Sequence, residues 1–203
     1  AAAWEAAVPG WFEAARAEAP GLGHNRRLLD ANGKAHNEWE DHEGRHPGYF
    51  DPSVLLVGVR RPDGRRAALV VNYGCHPVTL GPMSTAISAD YVGYLKDRLE
   101  RRGAAEVALF ALAGGANINP RVAIHAGPAF PQAMGEELAA ICSAALTQAQ
   151  PLAEGPVRSC RVPWEFAARY DWPANTGRRQ GEPVRTEVVA LRAGDLAIVT
   201  APG

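Results

Sequence analysis

The stretch Ala67-Ala68-Leu69-Val70-Val71-Asn72-Tyr73-Gly74-Cys75-His76-Pro77-Val78-Thr79-Leu80-Gly81 decides the fold. Its first half is an apolar run rich in Leu and Val, the pattern of a strand buried on both faces. The run predicts a central strand. The pattern breaks at Gly74, and His76 stands directly before Pro77, whose ring keeps the preceding residue extended or in a turn. An imidazole is therefore expected at the mouth of a buried strand, where open α/β sheets place ligands and metals. A histidine beside a proline is also a common loop residue with its ring bonded to backbone. Spacing alone favours that plainer reading, because a metal site needs about three or four protein ligands and only one is in view.

Working outward, Ser53–Val59 reads as a strand joined to Arg66–Tyr73 through Arg61-Pro62-Asp63-Gly64, a turn in which Pro presets φ and Gly is free to take positive φ. Beyond the His76 loop, Tyr91, Val92, Leu95 and Leu99 form one apolar stripe, predicting a helix from Asp90 to Arg101 with Ser88 at its N-terminal cap. Ala105–Leu112 is a second apolar run. Strand, helix, strand makes a βαβ unit, so the two runs should lie parallel and end on the same sheet edge. The predicted class is α/β, a mixed sheet with a parallel βαβ core and helices packed on the sheet.

The loop after the second run is Ala113-Gly114-Gly115-Ala116-Asn117-Ile118-Asn119-Pro120. Its small residues allow close backbone approach, and Asn117 and Asn119 offer donors and acceptors for a substrate. It is not a phosphate-binding loop, since no Gly-Lys-Ser/Thr follows. Phe130, Met134, Leu138, Ile141 and Ala145 mark a second helix with Pro131 in its first turn and Met134 as core filler. Toward the C-terminus, Val157–Val162 reads as a strand, and Glu187–Leu191 with Leu196–Thr200 as a hairpin about Ala193-Gly194-Asp195. Trp164, Phe166, Tyr170 and Trp172 could meet an apolar substrate or anchor a loop. At the N-terminus, Trp4, Val8, Trp11, Phe12 and Ala15 recur at helical spacing, which predicts a short helix broken at Pro9-Gly10. From Gly21 to Pro52 the chain is polar and irregular, and such a stretch is usually functional or disordered. It carries His36, His42 and His46 near carboxylates, a weak signal for a metal loop.

Composition narrows the partners. The 203 residues fit a single domain, and 21 Lys and Arg against 22 Asp and Glu leave a net charge of −1. No basic patch suggests nucleic acid. Cys75, Cys142 and Cys160 are too few and too irregular for a disulfide framework or a cysteine zinc site. No run reaches the roughly 18 to 20 apolar residues of a membrane span. The chain opens without Met and stops at Ala201-Pro202-Gly203 right after a strand-like run, so both ends read as cut.

Asn25-Arg26, the Gly74–Gly81 loop, Ile87-Ser88-Ala89-Asp90-Tyr91-Val92-Gly93-Tyr94, Asn117-Ile118-Asn119-Pro120 and Ala201-Pro202-Gly203 together resemble, in order and approximate spacing, the N-terminal catalytic domain of the neutral/alkaline non-lysosomal ceramidase family. The resemblance implies a Zn2+-dependent hydrolase of N-acyl amide bonds, with metal-activated water attacking the amide carbonyl. It also implies a role in sphingolipid metabolism, a secreted or periplasmic location, and access to a small-molecule or lipid amide at a membrane surface. His76 resembles the second of two zinc-binding histidines, and Arg26 the arginine beside the substrate amide. The family's other histidine would lie upstream of Ala1, its glutamate directly after Gly203 and its tyrosine later. The chain alone is therefore expected to hold zinc weakly and to hydrolyse nothing. Ceramidases place a serine in the Gly-rich loop where this chain has Ala113. That departure leaves open a related zinc hydrolase of another amide or ester, or a noncatalytic binding domain that keeps the fold.

Overall fold

The computed structural model describes residue 5, residues 7–168 and residues 179–200. Trp4, Tyr170, Trp172 and the Ala201-Pro202-Gly203 end lie outside the described residues. The chain divides into two units, Ala1–Pro151 and Leu152–Gly203.

The first unit is built on a five-stranded sheet ordered β7-β6-β5-β1-β9. These strands are β1 (Trp11–Glu18), β5 (Ser53–Arg60), β6 (Arg66–Tyr73), β7 (Val107–Leu112) and β9 (Gln150–Pro151). β5 and β6 form the expected antiparallel hairpin, and β6 runs parallel to β7 with Tyr73 opposite Leu112. The crossover between them is α1 (Asp90–Arg101), as the stripe predicted. It buries Tyr91, Leu95 and Leu99 on one face, completely sequestered from solvent, and Gly103 at φ 69° closes its C-terminus. α2 (Ala129–Ala145) packs against α1, and Met134 joins the core as filler. Gly135 permits the closest approach, since a Cβ there would lie 2.6 Å from the Tyr91 carbonyl oxygen.

The central run is buried more asymmetrically than its composition suggested. Leu69, Val71 and Tyr73 are fully buried on one sheet face. The opposite face carries Phe12, Leu55 and Leu109 exposed, so the first unit is a two-layer arrangement. The N-terminal helix is not formed at residues 11–18. Those residues are β1, which pairs antiparallel with β5 along its whole length and with β9 on its other side. Pro9-Gly10 cuts the helical pattern, and the hydrogen bonds offered by the free edge of β5 outweigh local periodicity. Glu13 of β1 is buried on Arg66, with Nε at 2.6 Å, and on Arg60, with Nε at 2.9 Å.

The polar stretch after Gly21 is ordered in short pieces. β2 (Gly23–Asn25) pairs with β8 (Ile118–Pro120), and β3 (Arg27–Leu29) pairs with β4 (Ala35–Asn37). Sequence reading missed these strands because each spans three residues, too short for any periodicity to register.

The second unit is an antiparallel sheet ordered β10-β11-β12, formed by β10 (Val157–Ala167), β11 (Pro183–Ala193) and β12 (Leu196–Thr200). The expected hairpin about Gly194 is present. Trp164 and Phe166 belong to β10 itself and are exposed.

Candidate functional site

β6 ends at Tyr73, and the chain then passes the buried Gly74-Cys75 pair to His76. The His76 amide donates to the Ile118 carbonyl at 3.0 Å. Its ring Nε2 lies 3.1 Å from the Ala116 carbonyl oxygen. A carbonyl only accepts, so Nε2 carries the hydrogen, and Nδ1 is the nitrogen left to offer a lone pair. A backbone carbonyl that fixes the tautomer in this way is the usual support of a metal-binding histidine.

Arg26 reaches the same carbonyl from the other side. The β2–β8 pairing lays Asn25 beside Ile118, and the Arg26 amide donates to the Asn117 carbonyl at 2.9 Å. Its guanidinium donates through Nη2 to the Ala116 carbonyl at 3.1 Å and through Nη1 to Asn119 Oδ1 at 3.4 Å. Its Nε is buried without a hydrogen-bond partner, and the guanidinium carbon stands 5.2 Å from the centre of the Trp39 ring. Asn119 is fully buried, and its Nδ2 donates to the Trp39 carbonyl at 3.3 Å. Both ends of that amide are engaged, so a direct substrate contact would exchange one of these bonds. Asn117 contributes its backbone carbonyl and leaves its side chain half-buried. Ala113 sits at the end of β7, its amide bonded to the Tyr73 carbonyl at 3.2 Å. The structure thus brings His76, Arg26 and the Asn117–Asn119 loop together around one carbonyl.

Cys75 is fully buried, and burial pushes its thiol far above the usual range, with Asp90 adding to the effect. Such a thiol is not a nucleophile at neutral pH. His24 and His46 pack edge to face with centroids 5.1 Å apart, and the Nδ1 of each is buried without a partner.

A second cluster was not visible in the sequence. Glu40, His42 and His125 form a group whose ligand atoms lie within 4.8 Å of one another, the one such group among the described residues. His125 Nε2 is 2.8 Å from Glu40 Oε1, and His42 Nε2 is 3.0 Å from Glu40 Oε2. Of the three loop histidines singled out earlier only His42 takes part, because His46 turns to His24 and His36 to Glu38. Burial raises the Glu40 carboxyl, but hydrogen bonds from His42 and the Ala123 amide, with the charges of His125 and His42, outweigh it and hold the group below its ordinary value.

No family model and no curated protein matches the chain. Among solved structures, neutral ceramidase from Pseudomonas aeruginosa superposes with a TM-score of 0.71 at 18% identity, covering 96% of this chain and 40% of that one. A ceramidase complexed with C2 gives 0.70 at 15% identity, covering 96% and 42%. The chain shares its fold with these ceramidases. It spans about two fifths of their length, and at these identities the likeness concerns the fold.

Proposed function

We propose that the chain is part of a larger zinc-dependent hydrolase of N-acyl amide bonds, in which His76 is a metal ligand and Arg26 the fixed cation beside the scissile carbonyl. The observation that carries this reading is the Ala116 carbonyl shared by His76 and Arg26, which sets a histidine with a lone pair on Nδ1 beside a guanidinium at the end of a central strand. Zinc held by His76 would supply water activated as a nucleophile at neutral pH, its pKa lowered to about 7. Arg26 then stabilises the charge that develops on the carbonyl oxygen, and Asn119 with Trp39 holds Arg26 in place. Asn117 would meet the substrate from the loop, and the buried Asn119 would do so only by exchanging its bond to Arg26 or Trp39. The ceramidase fold supports an amide with a lipid chain as the substrate class, reached at a membrane surface. The many exposed apolar residues of β10 to β12, among them Val157, Trp164 and Val199, support the larger parent.

A second reading, a noncatalytic binding domain, is favoured by Ala113 and by the single zinc ligand assigned to the chain. Kinetics on the parent polypeptide with a fluorescent N-acyl sphingosine separate the two. Arg26→Ala should lower kcat by about 10²–10³. Cys75→Ser should leave kcat within about twofold, as expected of a buried thiol outside the chemistry. A parent without turnover would favour the binding domain.

A further inference from the structure

We propose a second metal site, formed by Glu40, His42 and His125, that takes a zinc-class divalent cation and clasps residues 38–42 to the loop after β8. Two imidazoles and one carboxylate are a donor set suited to zinc and its first-row neighbours. Ligand atoms on one tetrahedral zinc, each bonded at about 2.0–2.2 Å, lie roughly 3.3–3.6 Å apart. Here His125 Nε2 and Glu40 Oε1 are 2.8 Å apart and His42 Nε2 and Glu40 Oε2 3.0 Å, with all the ligand atoms within 4.8 Å, so an entering cation spreads the close pairs slightly and takes the place of the proton that His42 shares with Glu40.

The decisive atom is His125 Nε2. It is buried and makes no hydrogen bond, although Glu40 Oε1 is 2.8 Å away. Neither atom is committed to a hydrogen bond with the other, which leaves both available to one ion. The chain holds that geometry firmly. The His125 ring lies on Phe130 with centroids 4.1 Å apart. Its amide donates to the Thr79 carbonyl at 2.9 Å, and its carbonyl accepts from the Gly81 amide at 2.9 Å. Ile124, a β-branched residue at φ 61°, adopts a left-handed conformation that costs about 1–3 kcal/mol and must be held by its surroundings. His42 is exposed and, with Phe130, lines a surface hollow of about 310 Å³, which gives an ion an access path.

The site would also bear on Arg26. Glu38 donates its amide to the Arg26 carbonyl at 2.7 Å, and Trp39 faces the guanidinium. An ion on Glu40 and His42 therefore steadies the wall behind Arg26. Binding itself does not depend on the hydrolase reading, because none of these ligands is His76.

The test is a cobalt(II) titration of the whole 203-residue chain, read by visible absorption, with zinc as competitor. Wild type and His76→Ala should give the same spectrum, displaced by one equivalent of zinc. His42→Ala and Glu40→Gln should each weaken binding by at least the roughly 10–100-fold that loss of an outer-shell partner costs. His42 is exposed, so its removal leaves the fold intact by circular dichroism. His125→Ala should behave likewise, and zinc should raise Tm in the wild type but not in His42→Ala. A wild type without a cobalt spectrum, equal affinity in wild type and His42→Ala, or loss of signal in His76→Ala with His42→Ala unchanged would each overturn the site. The last of these would place the metal at His76 and leave the hydrolase reading standing.

Discussion

Asp90 ties the His76 loop to the sheet-covering helix, and its removal should loosen that loop by an amount the contacts allow one to work out. Its Oδ1 accepts from Thr79 Oγ1 and from the Tyr91 amide, both at 2.7 Å, and its Oδ2 accepts from the Leu80 amide at 2.9 Å. Asp90 and Thr79 are buried, so water does not replace these bonds. Asp90→Ala strands the Thr79 hydroxyl and the Leu80 amide, at about 1–3 kcal/mol each. Asp90 also sits at φ 56°, where alanine adds about 1 kcal/mol of strain. The expected loss is about 3–7 kcal/mol. Asp90→Gly should cost about 1 kcal/mol less than alanine, because glycine takes positive φ freely. Asp90→Asn keeps both Oδ1 bonds but turns an amino group toward the Leu80 amide, at about 1–3 kcal/mol. The order is therefore Asn mildest, then Gly, then Ala. Urea unfolding followed by alkylation of buried Cys75 reports on this unit directly. An alanine variant within about 0.5 kcal/mol of wild type, the range of ordinary surface changes, would refute the reasoning, as would glycine falling below alanine.

Other predictions rest on the same unit. Arg66→Met should lower stability by about 3 kcal/mol, because Glu13 stays buried with only Arg60 beside it, and adding Glu13→Leu should recover most of the loss in urea unfolding. Gly135→Ala should cost about 1–3 kcal/mol in the same assay, since its methyl meets the α1 backbone at Tyr91 and Leu95. Burial lowers the His24 pKa below 6.5, helped by His46 and opposed by the Glu38 carbonyl and Asp41. Around that value the unfolded chain binds more protons than the folded one, so stability should fall as pH drops through 6.5, and His24→Gln should flatten the slope in denaturation curves.

The fold was legible where hydrophobic pattern is long. Leu69–Tyr73, the Asp90–Arg101 stripe and the turn at Asp63-Gly64 each carry enough period or turn chemistry to fix an element, and the structure has them. The Trp11–Ala15 pattern misled because four or five apolar residues fit either period, and the edge of β5, remote in sequence, chose between them. The convergence of His76 with Asn119 followed from parallel strands ending on one edge, and Arg26 joined them through a family resemblance. Glu40 and His125 were not legible as a pair. They lie in separate loops, and their meeting depends on Leu80 bridging His125 and on Arg121 bonding the Asp41 and His42 carbonyls, contacts that leave no mark in local sequence.

The central claim is that His76 holds a catalytic zinc, and metal content measured together with turnover tests it most directly. The parent polypeptide, purified without added metal, should carry zinc and hydrolyse an N-acyl amide, while the 203-residue chain alone hydrolyses none. His76→Ala in the parent should remove turnover and lower zinc by one equivalent, leaving the Glu40–His42–His125 ion in place. A parent that keeps both its full zinc content and its turnover without the His76 imidazole would contradict the account.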